Sequence, residues 1–395
     1  MKKIVHLTSV HQPFDTRICL RECRSLVRQG YEVVLIAPHW QEEMVDGVRV
    51  RPVPKPRNRL WRMLVTTLQV ARAAVQEDAD LYHLHDPELL PLGRWLRWRG
   101  RQVVYDMHED LPKSFIIKSW IPPGLRRWAA AFSRALEPYL LGNLPIVFAE
   151  TSYRKDYPWV RKYEIILNTP VVEEIPHAQQ QHARPSVGYI GRVSPDRGSQ
   201  RMIEALALLK QSGCQVDFDC VGPIHPPHEQ ELLALTSQAG LDGVRFHGLL
   251  PPRQGFAVVA RCHVGLAVLR MTPNAVGSYP TKMFEYMAMG LPVVVSDVPL
   301  YREVIESADC GFCVDPESPR ELAEAIGWLI SHPDQAARMG QRGRQAVLDR
   351  YSWEPESRKL FRFYQDLLPQ SPSGQAGQST GIAGNPPPLP DSKAA

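Results

Sequence analysis

A glycine loop that carries two arginines is the segment of this sequence best suited to bind an anion. It reads Gly188-Tyr-Ile-Gly191-Arg192-Val-Ser-Pro-Asp-Arg197-Gly198 and lies between a strand-like run and a helical one. Backbone N–H groups at a helix N-terminus, the helix dipole and guanidinium groups all favour phosphate oxygens. We therefore expect a diphosphate site here. The alternative is that Gly191 only allows a helix to pack closely on a strand and that the arginines are surface charges.

A second group of polar residues occurs in Ser278-Tyr-Pro-Thr281-Lys282-Met-Phe-Glu285-Tyr-Met-Ala-Met-Gly290. The pattern predicts a helix that begins at Thr281. Lys282 and Glu285 are three residues apart and so share one helical face. The lysine suits a phosphate, and the carboxylate suits the vicinal hydroxyls of a sugar. A plain capped helix, in which Glu285 closes a capping box, is the alternative.

Three polar motifs in the first half of the chain each follow a predicted strand. Because the carboxyl ends of parallel strands meet at one edge of a sheet, we expect the motifs to converge on one cleft. His83 is expected to lie in the sheet without a chemical role. The motifs are His11-Gln-Pro-Phe-Asp15-Thr16-Arg17-Ile, Tyr82-His83-Leu-His85-Asp86-Pro87-Glu88-Leu and Tyr105-Asp106-Met-His108-Glu109-Asp110-Leu-Pro.

The elements that hold these motifs follow a βαβ rhythm, in which short apolar runs alternate with longer amphipathic stretches. We expect an α/β protein with two doubly wound domains, 1–170 and 186–353, facing a central cleft. A linker at 171–185, a terminal helix at 354–368 and a disordered tail at 369–395 complete the prediction. The predicted strands are 3–10, 31–37, 48–53, 81–85, 102–106 and 145–149, then 186–191, 216–221, 244–246, 264–269, 292–296 and 311–314.

The composition is that of a globular protein and excludes disorder throughout, collagen and coiled coil. The chain has 395 residues, 44% hydrophobic and 22% charged, which is enough for two domains. No run approaches the roughly 18 apolar residues of a membrane span, so we expect a cytoplasmic protein, with peripheral contact to the inner membrane face as an option. Seven cysteines, an odd number, indicate reduced thiols. Cys310-Gly-Phe-Cys313 lacks the second ligand pair of a zinc site, so we interpret both as buried strand residues.

The net charge is unevenly distributed along the chain. The first 184 residues hold 27 basic and 20 acidic side chains, whereas the rest hold 19 and 22. This asymmetry suggests an anionic partner for the first half, and a solvated basic face is the alternative. No nucleic-acid-binding motif accompanies it. The basic residues form three groups, two of them interleaved with tryptophan: Arg49, Arg51, Lys55, Arg57, Arg59 and Arg62; Arg94, Arg97, Arg99 and Arg101; and Arg126 and Arg127.

Taken together, these motifs resemble the family 4 retaining glycosyltransferases of the GT-B fold, over residues 1 to about 367. The resemblance implies two Rossmann-like domains and a terminal helix that crosses back to the first domain. It also implies transfer of a sugar from a nucleotide-sugar donor to a hydroxyl of a glycan or lipid-linked acceptor, without a cofactor or a metal. The first-domain motifs resemble a bacterial surface-polysaccharide branch, whose acceptors are commonly lipid diphosphates. An anionic membrane surface would then explain the basic first half.

The resemblance also implies roles for single residues. Arg192 and Arg197 would grip the donor diphosphate and stabilise its growing charge, Glu285 would hold the ribose, and His108 would lie near the reacting centre. The other expected donor-binding residues are Arg17, Gly191, Gly277, Ser278, Thr281 and Lys282, and the expected acceptor-side residues are Asp15, His85, Asp86 and Glu109.

One position departs from the family pattern. Gly277 stands eight residues before Glu285, where the family usually has a glutamate that contacts the transferred sugar. The backbone amides of Gly277 and Ser278, or the Ser278 hydroxyl, are candidate replacements. Two other functions stay open at this point: a non-hydrolysing nucleotide-sugar epimerase, and a non-catalytic membrane-docked scaffold of the same fold. The sugar, the base, the acceptor and the oligomeric state are not encoded in these motifs.

Overall fold

Two parallel sheets form the framework of the protein. The computed structural model describes residues 1–117, 121–178, 182–272 and 276–368, and the predicted tail lies outside them. Helices cover both faces of each sheet, and apolar side chains fill the layers between. The expected α/β architecture with two Rossmann-like domains is confirmed.

The first sheet has eight strands in the order β3-β4-β2-β1-β5-β6-β7-β8. All neighbours are parallel except β3 and β4, which form an antiparallel hairpin. The chain reverses strand order between β1 and β5, where a cleft is expected at the carboxyl ends. The strands are β1 Lys3–Leu7, β2 Glu32–Pro38, β3 Glu43–Val45, β4 Val48–Val53, β5 Leu81–Leu84, β6 Gln102–Met107, β7 Ile146–Phe148 and β8 Tyr163–Ile165.

The second sheet has six parallel strands in the order β11-β10-β9-β12-β13-β14. This is the doubly wound order of a dinucleotide-binding fold, and its reversal lies between β9 and β12. The strands are β9 Ser186–Ile190, β10 Asp217–Val221, β11 Val244–Gly248, β12 Val264–Ala267, β13 Val293–Ser296 and β14 Gly311–Val314.

Helices connect nearly all the strands. Within the described residues, none combines the length and apolar composition that a bilayer-spanning helix needs. The helices of the first domain are Ile18–Cys23 continuing as Arg24–Arg28, Arg59–Trp61 continuing to Thr67–Glu77, Leu90–Trp98, Leu111–Ile117, Pro123–Leu141 and Tyr153–Asp156. Those of the second are Ser199–Gln211, Pro226–Gln238, Pro252–Val259, Thr281–Met289, Pro299–Ala308, Pro319–Ser331 and Pro333–Ala346.

The last helix, Trp353–Leu367, packs on the first domain. The Trp353 indole N–H donates to the Ser25 hydroxyl at 2.8 Å, and the Tyr364 hydroxyl contacts the His83 ring nitrogen inside the sheet. The C-terminal helix therefore ties the end of the second domain to the core of the first.

Two strands were not predicted from the sequence. β3 and β8 are three residues long and lie at opposite edges of the first sheet, so neither gives a distinct apolar run. The turn between β3 and β4 did carry a signal, because Asp46 and Gly47 both have positive φ, as a tight hairpin requires. The Asp-Gly pair could have identified this hairpin.

Candidate active site

The two domains meet through loops at the carboxyl ends of their strands. The Ser152 hydroxyl, after β7, donates to the Gly277 carbonyl at 2.6 Å. Glu150 accepts a hydrogen bond from the Tyr279 N–H at 3.2 Å. These contacts join the two strand edges to which the sequence motifs were assigned, so the cleft lies between them.

The glycine loop is shaped to leave its backbone accessible. Gly191 has φ +128, and a Cβ there would lie 3.0 Å from the Lys282 Nζ. Gly222 packs against it so closely that a Cβ would be 1.8 Å from the Gly191 carbonyl oxygen. Gly222 is therefore required by space as well as by its φ of +142, whereas Gly191 is required mainly by its φ, because the lysine end can shift.

Lys282 is a buried cation beside this loop. Its side chain is 8% exposed, and Nζ lies 3.8 Å above the Tyr189 ring. Burial, together with the nearby Arg197 charge, lowers the pKa of Lys282 to about 7. Among the described residues, no carboxylate forms a salt bridge with Nζ, so an anion placed here would be strongly favoured.

Arg192 and Arg197 occupy different places at the loop. Both side chains are exposed, but only Arg197 influences Lys282. The carbonyl of Arg192 accepts the Tyr189 hydroxyl at 2.6 Å, which anchors its backbone. The structure thus brings Gly191, Arg197 and Lys282 together, and the Arg192 side chain is exposed on the same loop.

Glu285 lies on the helix that begins at Thr281, with Lys282 one turn away. This helix has no side-chain hydrogen bond at its N-terminus, so the capping-box interpretation does not apply. Burial raises the pKa of Glu285, and the charges of Arg21 and Lys282 oppose that rise. Arg21 belongs to the first domain, so Glu285 interacts electrostatically with a cation from across the cleft.

Arg17 does not occupy the donor-facing position expected of it. It is buried, its guanidinium donates to both Asp106 oxygens at 2.9 and 3.0 Å, and a third bond reaches the Ile166 carbonyl at 3.0 Å. Nε also lies 3.1 Å from Glu22. Every nitrogen of the group has a protein acceptor. Arg21, four residues later, is the arginine that faces the second domain.

A histidine and carboxylate chain lies at the end of β6. His108 Nε2 is 3.0 Å from the Asp106 carboxylate and 3.1 Å from His85 Nδ1. His85 contacts His6 at 2.9 Å, and burial lowers its pKa to about 4. His85 is therefore a neutral, buried support, whereas the His108 side chain is 18% exposed and reaches the cleft.

Asp86 accepts hydrogen bonds from the loop after β1, so its carboxylate oxygens have few positions left for a ligand. One oxygen accepts from the Thr8 hydroxyl and the Ser9 N–H, both at 2.7 Å, and the other lies 3.2 Å from His11. Burial alone would raise the pKa of Asp86, but these donors hold it at about 2. Burial opposes charge on His11, but Asp86 raises its pKa overall. The His11 ring lies beside His108, with ring centroids 5.3 Å apart.

The two remaining acceptor-side candidates differ in availability. Asp15 accepts the N–H groups of Arg17 and Ile18 at 2.9 and 3.0 Å, so it caps the helix that follows. Glu109 is exposed at the cavity wall and accepts from the Ser114 hydroxyl at 3.0 Å. Only Glu109 of this pair presents its carboxylate to the cleft.

A cavity of about 550 Å³ opens next to His11 and His108. Its walls are mostly apolar. The charged side chains among them are two arginines and four carboxyl groups: Arg59, Arg62, Asp86, Glu88, Glu109 and Glu137. The apolar lining includes Met63, Leu90, Met107, Phe115, Phe132, Leu136 and Leu140.

Part of the basic surface is neutralised internally by carboxylates of the same domain. Arg49 and Arg51 both bind the buried Glu77, and Arg62 lies 2.9 Å from Glu88. Arg57 and Arg59 stay exposed beside apolar side chains of the same segment. The exposed apolar residues here are Leu60, Trp61, Met63, Leu64 and Leu68.

Three groups of side chains in the described part of the chain place possible metal ligands close together. Arginine already pairs with a carboxylate of each: Arg17 with Glu22 and with Asp106, and Arg245 with Asp219 at 2.8 Å. A guanidinium beside the carboxylate disfavours a divalent cation. The seven cysteines are free thiols. Cys310 is buried but lies one residue before β14, and Cys313 lies in β14 but is partly exposed, so the interpretation of both as buried strand residues is wrong in part. Burial raises the pKa of Cys310 to about 12.

Sequence reasoning missed four residues at this site. Asp106 and His11 stood inside the quoted motifs, and their strand-end positions were the available signal. Arg21 follows Arg17 by one helical turn. Glu150 had no motif, because only the docking of the two domains brings it to the cleft.

Comparisons with known proteins agree with this arrangement. Residues 16–153 match the model of the glycosyl transferase 4-like domain, and residues 172–346 match the model of glycosyl transferases group 1. A phosphatidyl-myo-inositol mannosyltransferase of Mycobacterium leprae is 26% identical over 358 residues, covering 86% of this chain and 89% of that one. Two solved structures share the fold. Sucrose-phosphate synthase of Thermosynechococcus elongatus has a TM-score of 0.75, 17% identity and coverage of 93% and 99%. Anabaena HepE in complex with UDP-glucose has a TM-score of 0.70, 17% identity and coverage of 93% and 100%.

Proposed function

We propose, on the premise that this chain belongs to the family 4 glycosyltransferases of the GT-B fold, that it transfers a sugar from a nucleotide-sugar donor to a hydroxyl of a lipid-linked acceptor. The role we assign it is a step of surface polysaccharide or glycolipid assembly. The observation that carries the donor half is the buried Lys282 ammonium between Gly191 and Arg197. The donor diphosphate would supply the anion that this cation lacks among the described residues.

The acceptor half is supported by the character of the cavity beside His11 and His108. Apolar walls suit a hydrocarbon chain, and Arg59 suits phosphate oxygens near its end. An isoprenoid-type lipid phosphate or diphosphate that carries a sugar combines both features. Its sugar hydroxyl would then reach the cleft at His108.

An anionic membrane surface is the proposed source of this acceptor. Arg57 and Arg59 stand beside Leu60, Trp61 and Leu64, and all five side chains are exposed. Across the cavity, the helix Pro123–Leu141 exposes Trp128, Phe132 and Tyr139. Basic and aromatic side chains together suit the headgroup region of a bilayer.

The proposed chemistry is transfer with retention of the anomeric configuration and without a metal. Arg197 and Lys282, with Arg192 on the same loop, would stabilise the charge that grows on the diphosphate as the glycosidic bond breaks. The departing phosphate accepts the proton of the attacking hydroxyl on the same face of the sugar. His108, held by Asp106 at Nε2, would bind a hydroxyl near the reacting carbon.

The test is a transfer assay with a panel of UDP- and GDP-sugars and a farnesyl-diphosphate-linked monosaccharide. We expect one donor to give a product whose new bond has the donor's anomeric configuration, read by NMR. Lys282→Met should remove the activity. Arg201→Ala is the matched control, because Arg201 is bonded to Glu204 on its own helix. Isomerisation of a donor without acceptor would instead indicate an epimerase, and the absence of both reactions would indicate a scaffold.

A further inference from the structure

Glu150 is a buried residue of the first domain whose carboxyl group contacts the second domain. It follows β7 in the first domain and is 9% exposed. Its Oε2 accepts the Tyr279 N–H, two residues before the helix that starts at Thr281. That bond is the one hydrogen bond recorded for Glu150 among the described residues, and none of them forms a salt bridge with it. A buried carboxyl with this much unused capacity suits a polar ligand.

Its surroundings place Glu150 beside the diphosphate site. The Tyr301 hydroxyl is within electrostatic reach of both Glu150 and Arg197. Tyr279 precedes Lys282 by three residues, so its N–H lies within about 10 Å of the lysine backbone.

The surroundings of Gly277 are consistent with a carboxyl group supplied by the first domain rather than by residue 277. A Cβ at Gly277 would lie 3.0 Å from the Ser152 hydroxyl, which itself bonds to the Gly277 carbonyl. The Ser152 side chain therefore occupies the space next to residue 277, and a side chain at that position would have to displace it. The same contact brings the Glu150 carboxyl to the backbone of the 277–279 loop.

We propose that Glu150 hydrogen-bonds a hydroxyl of the transferred sugar and so contributes a donor-sugar contact from the opposite domain. This proposal rests on the proposed function, because it needs a nucleotide-sugar in the cleft. It also makes the complete donor site a product of both domains: the second binds the nucleotide diphosphate, and the first contacts the sugar.

The test compares each nucleotide with its sugar conjugate by calorimetry, using UDP, UDP-glucose, GDP and GDP-mannose. In Glu150→Ala we expect the affinity for the bound nucleotide-sugar to fall about 10-fold, the loss of one hydrogen bond. Affinity for the nucleotide alone should stay within about twofold. Glu150→Gln, which keeps the shape and one acceptor, should lose less.

The variant Ser152→Ala shows whether Glu150 contacts the sugar or only holds the two domains together, which we call a clasping role. It removes the other interdomain bond, so a clasping role predicts that Ser152→Ala and Glu150→Ala weaken nucleotide and nucleotide-sugar alike. The triple variant Glu150→Ala, Ser152→Gly, Gly277→Glu moves the carboxylate to the second domain, and we expect it to regain part of the sugar-dependent affinity. Equal losses for nucleotide and conjugate in Glu150→Ala would overturn the proposal. Failure of the unmodified protein to bind any nucleotide would overturn the proposed function first, and this one with it.

Discussion

The guanidinium of Arg17 donates to both carboxylate oxygens of Asp106, at 2.9 and 3.0 Å, in the interior of the first domain. Although burial raises the pKa of Asp106, Arg17 and His108 hold it well below its usual range. The pair connects the helix after β1 to the end of β6. Because Asp106 also contacts His108 and His85, it fixes the imidazole that reaches the cleft.

Asp106→Asn should destabilise the protein by about 3–5 kcal/mol, because it leaves the buried Arg17 charge without its main partner. Urea unfolding monitored by tryptophan fluorescence gives the free energy of unfolding. Glu324→Gln is the control, since its bond to Arg320 is exposed and should contribute less than about 1 kcal/mol. Similar losses in the two variants would contradict the importance of the buried pair.

The lowered pKa of Lys282 predicts that the protein takes up a proton when a nucleotide binds. The pKa of about 7 in the free protein should rise when a diphosphate binds, because a nearby anion favours the charged lysine. Affinity should then be flat below pH 7 and fall by up to about tenfold per pH unit above it. Calorimetry of UDP and GDP binding from pH 7 to 9, in buffers of different ionisation enthalpy, measures both effects. Lys282→Met should remove the slope; a slope that persists would assign the proton to another group.

His108→Ala should lower the turnover number for transfer by about 100-fold, in the range typical of a positioned group at the reacting centre. Nucleotide affinity should not change, because His108 belongs to the first domain and the diphosphate residues to the second. Steady-state kinetics and calorimetry separate the two quantities. His332→Ala, at an exposed histidine of the second domain, serves as the control. A fall in nucleotide affinity equal to the fall in turnover would move His108 from the reaction to donor binding.

The basic and apolar surface around Arg57 predicts binding to anionic vesicles. The triple variant Arg57→Glu, Arg59→Glu, Arg62→Glu should abolish co-sedimentation with vesicles that contain phosphatidylglycerol. Arg57 and Arg59 should each contribute about 1 kcal/mol near the surface, and the change at Arg62 also leaves Glu88 without its partner. The control is the triple variant Arg320→Glu, Arg338→Glu, Arg342→Glu. It makes the same change of net charge on the second domain and should still bind the vesicles. Unchanged sedimentation of the first triple variant would contradict membrane docking at this face.

The sequence predicted features that depend on a single strand, helix or loop. Apolar runs located twelve strands, and the Gly191 loop and the Thr281 helix lie where their motifs predicted. It did not predict contacts between side chains that belong to different elements. Arg17 and Arg21 lie one helical turn apart, and only tertiary packing decides that Arg17 faces Asp106 while Arg21 faces Glu285. Glu150 reaches the cleft through domain docking, which leaves no periodic signal in the sequence.

The central claim is that the cleft binds a nucleotide diphosphate at Arg197 and Lys282. A thermal-shift panel of UDP, GDP, ADP and CMP, each with and without magnesium, tests it most directly. A nucleotide at about 100 times its dissociation constant should stabilise the protein by roughly 2.7 kcal/mol and raise the melting temperature by a few degrees. We predict a rise selective for one base, independent of magnesium, lost in Arg197→Ala and Lys282→Met and kept in Arg201→Ala. No rise with any nucleotide, or a rise that survives both substitutions, would contradict the account.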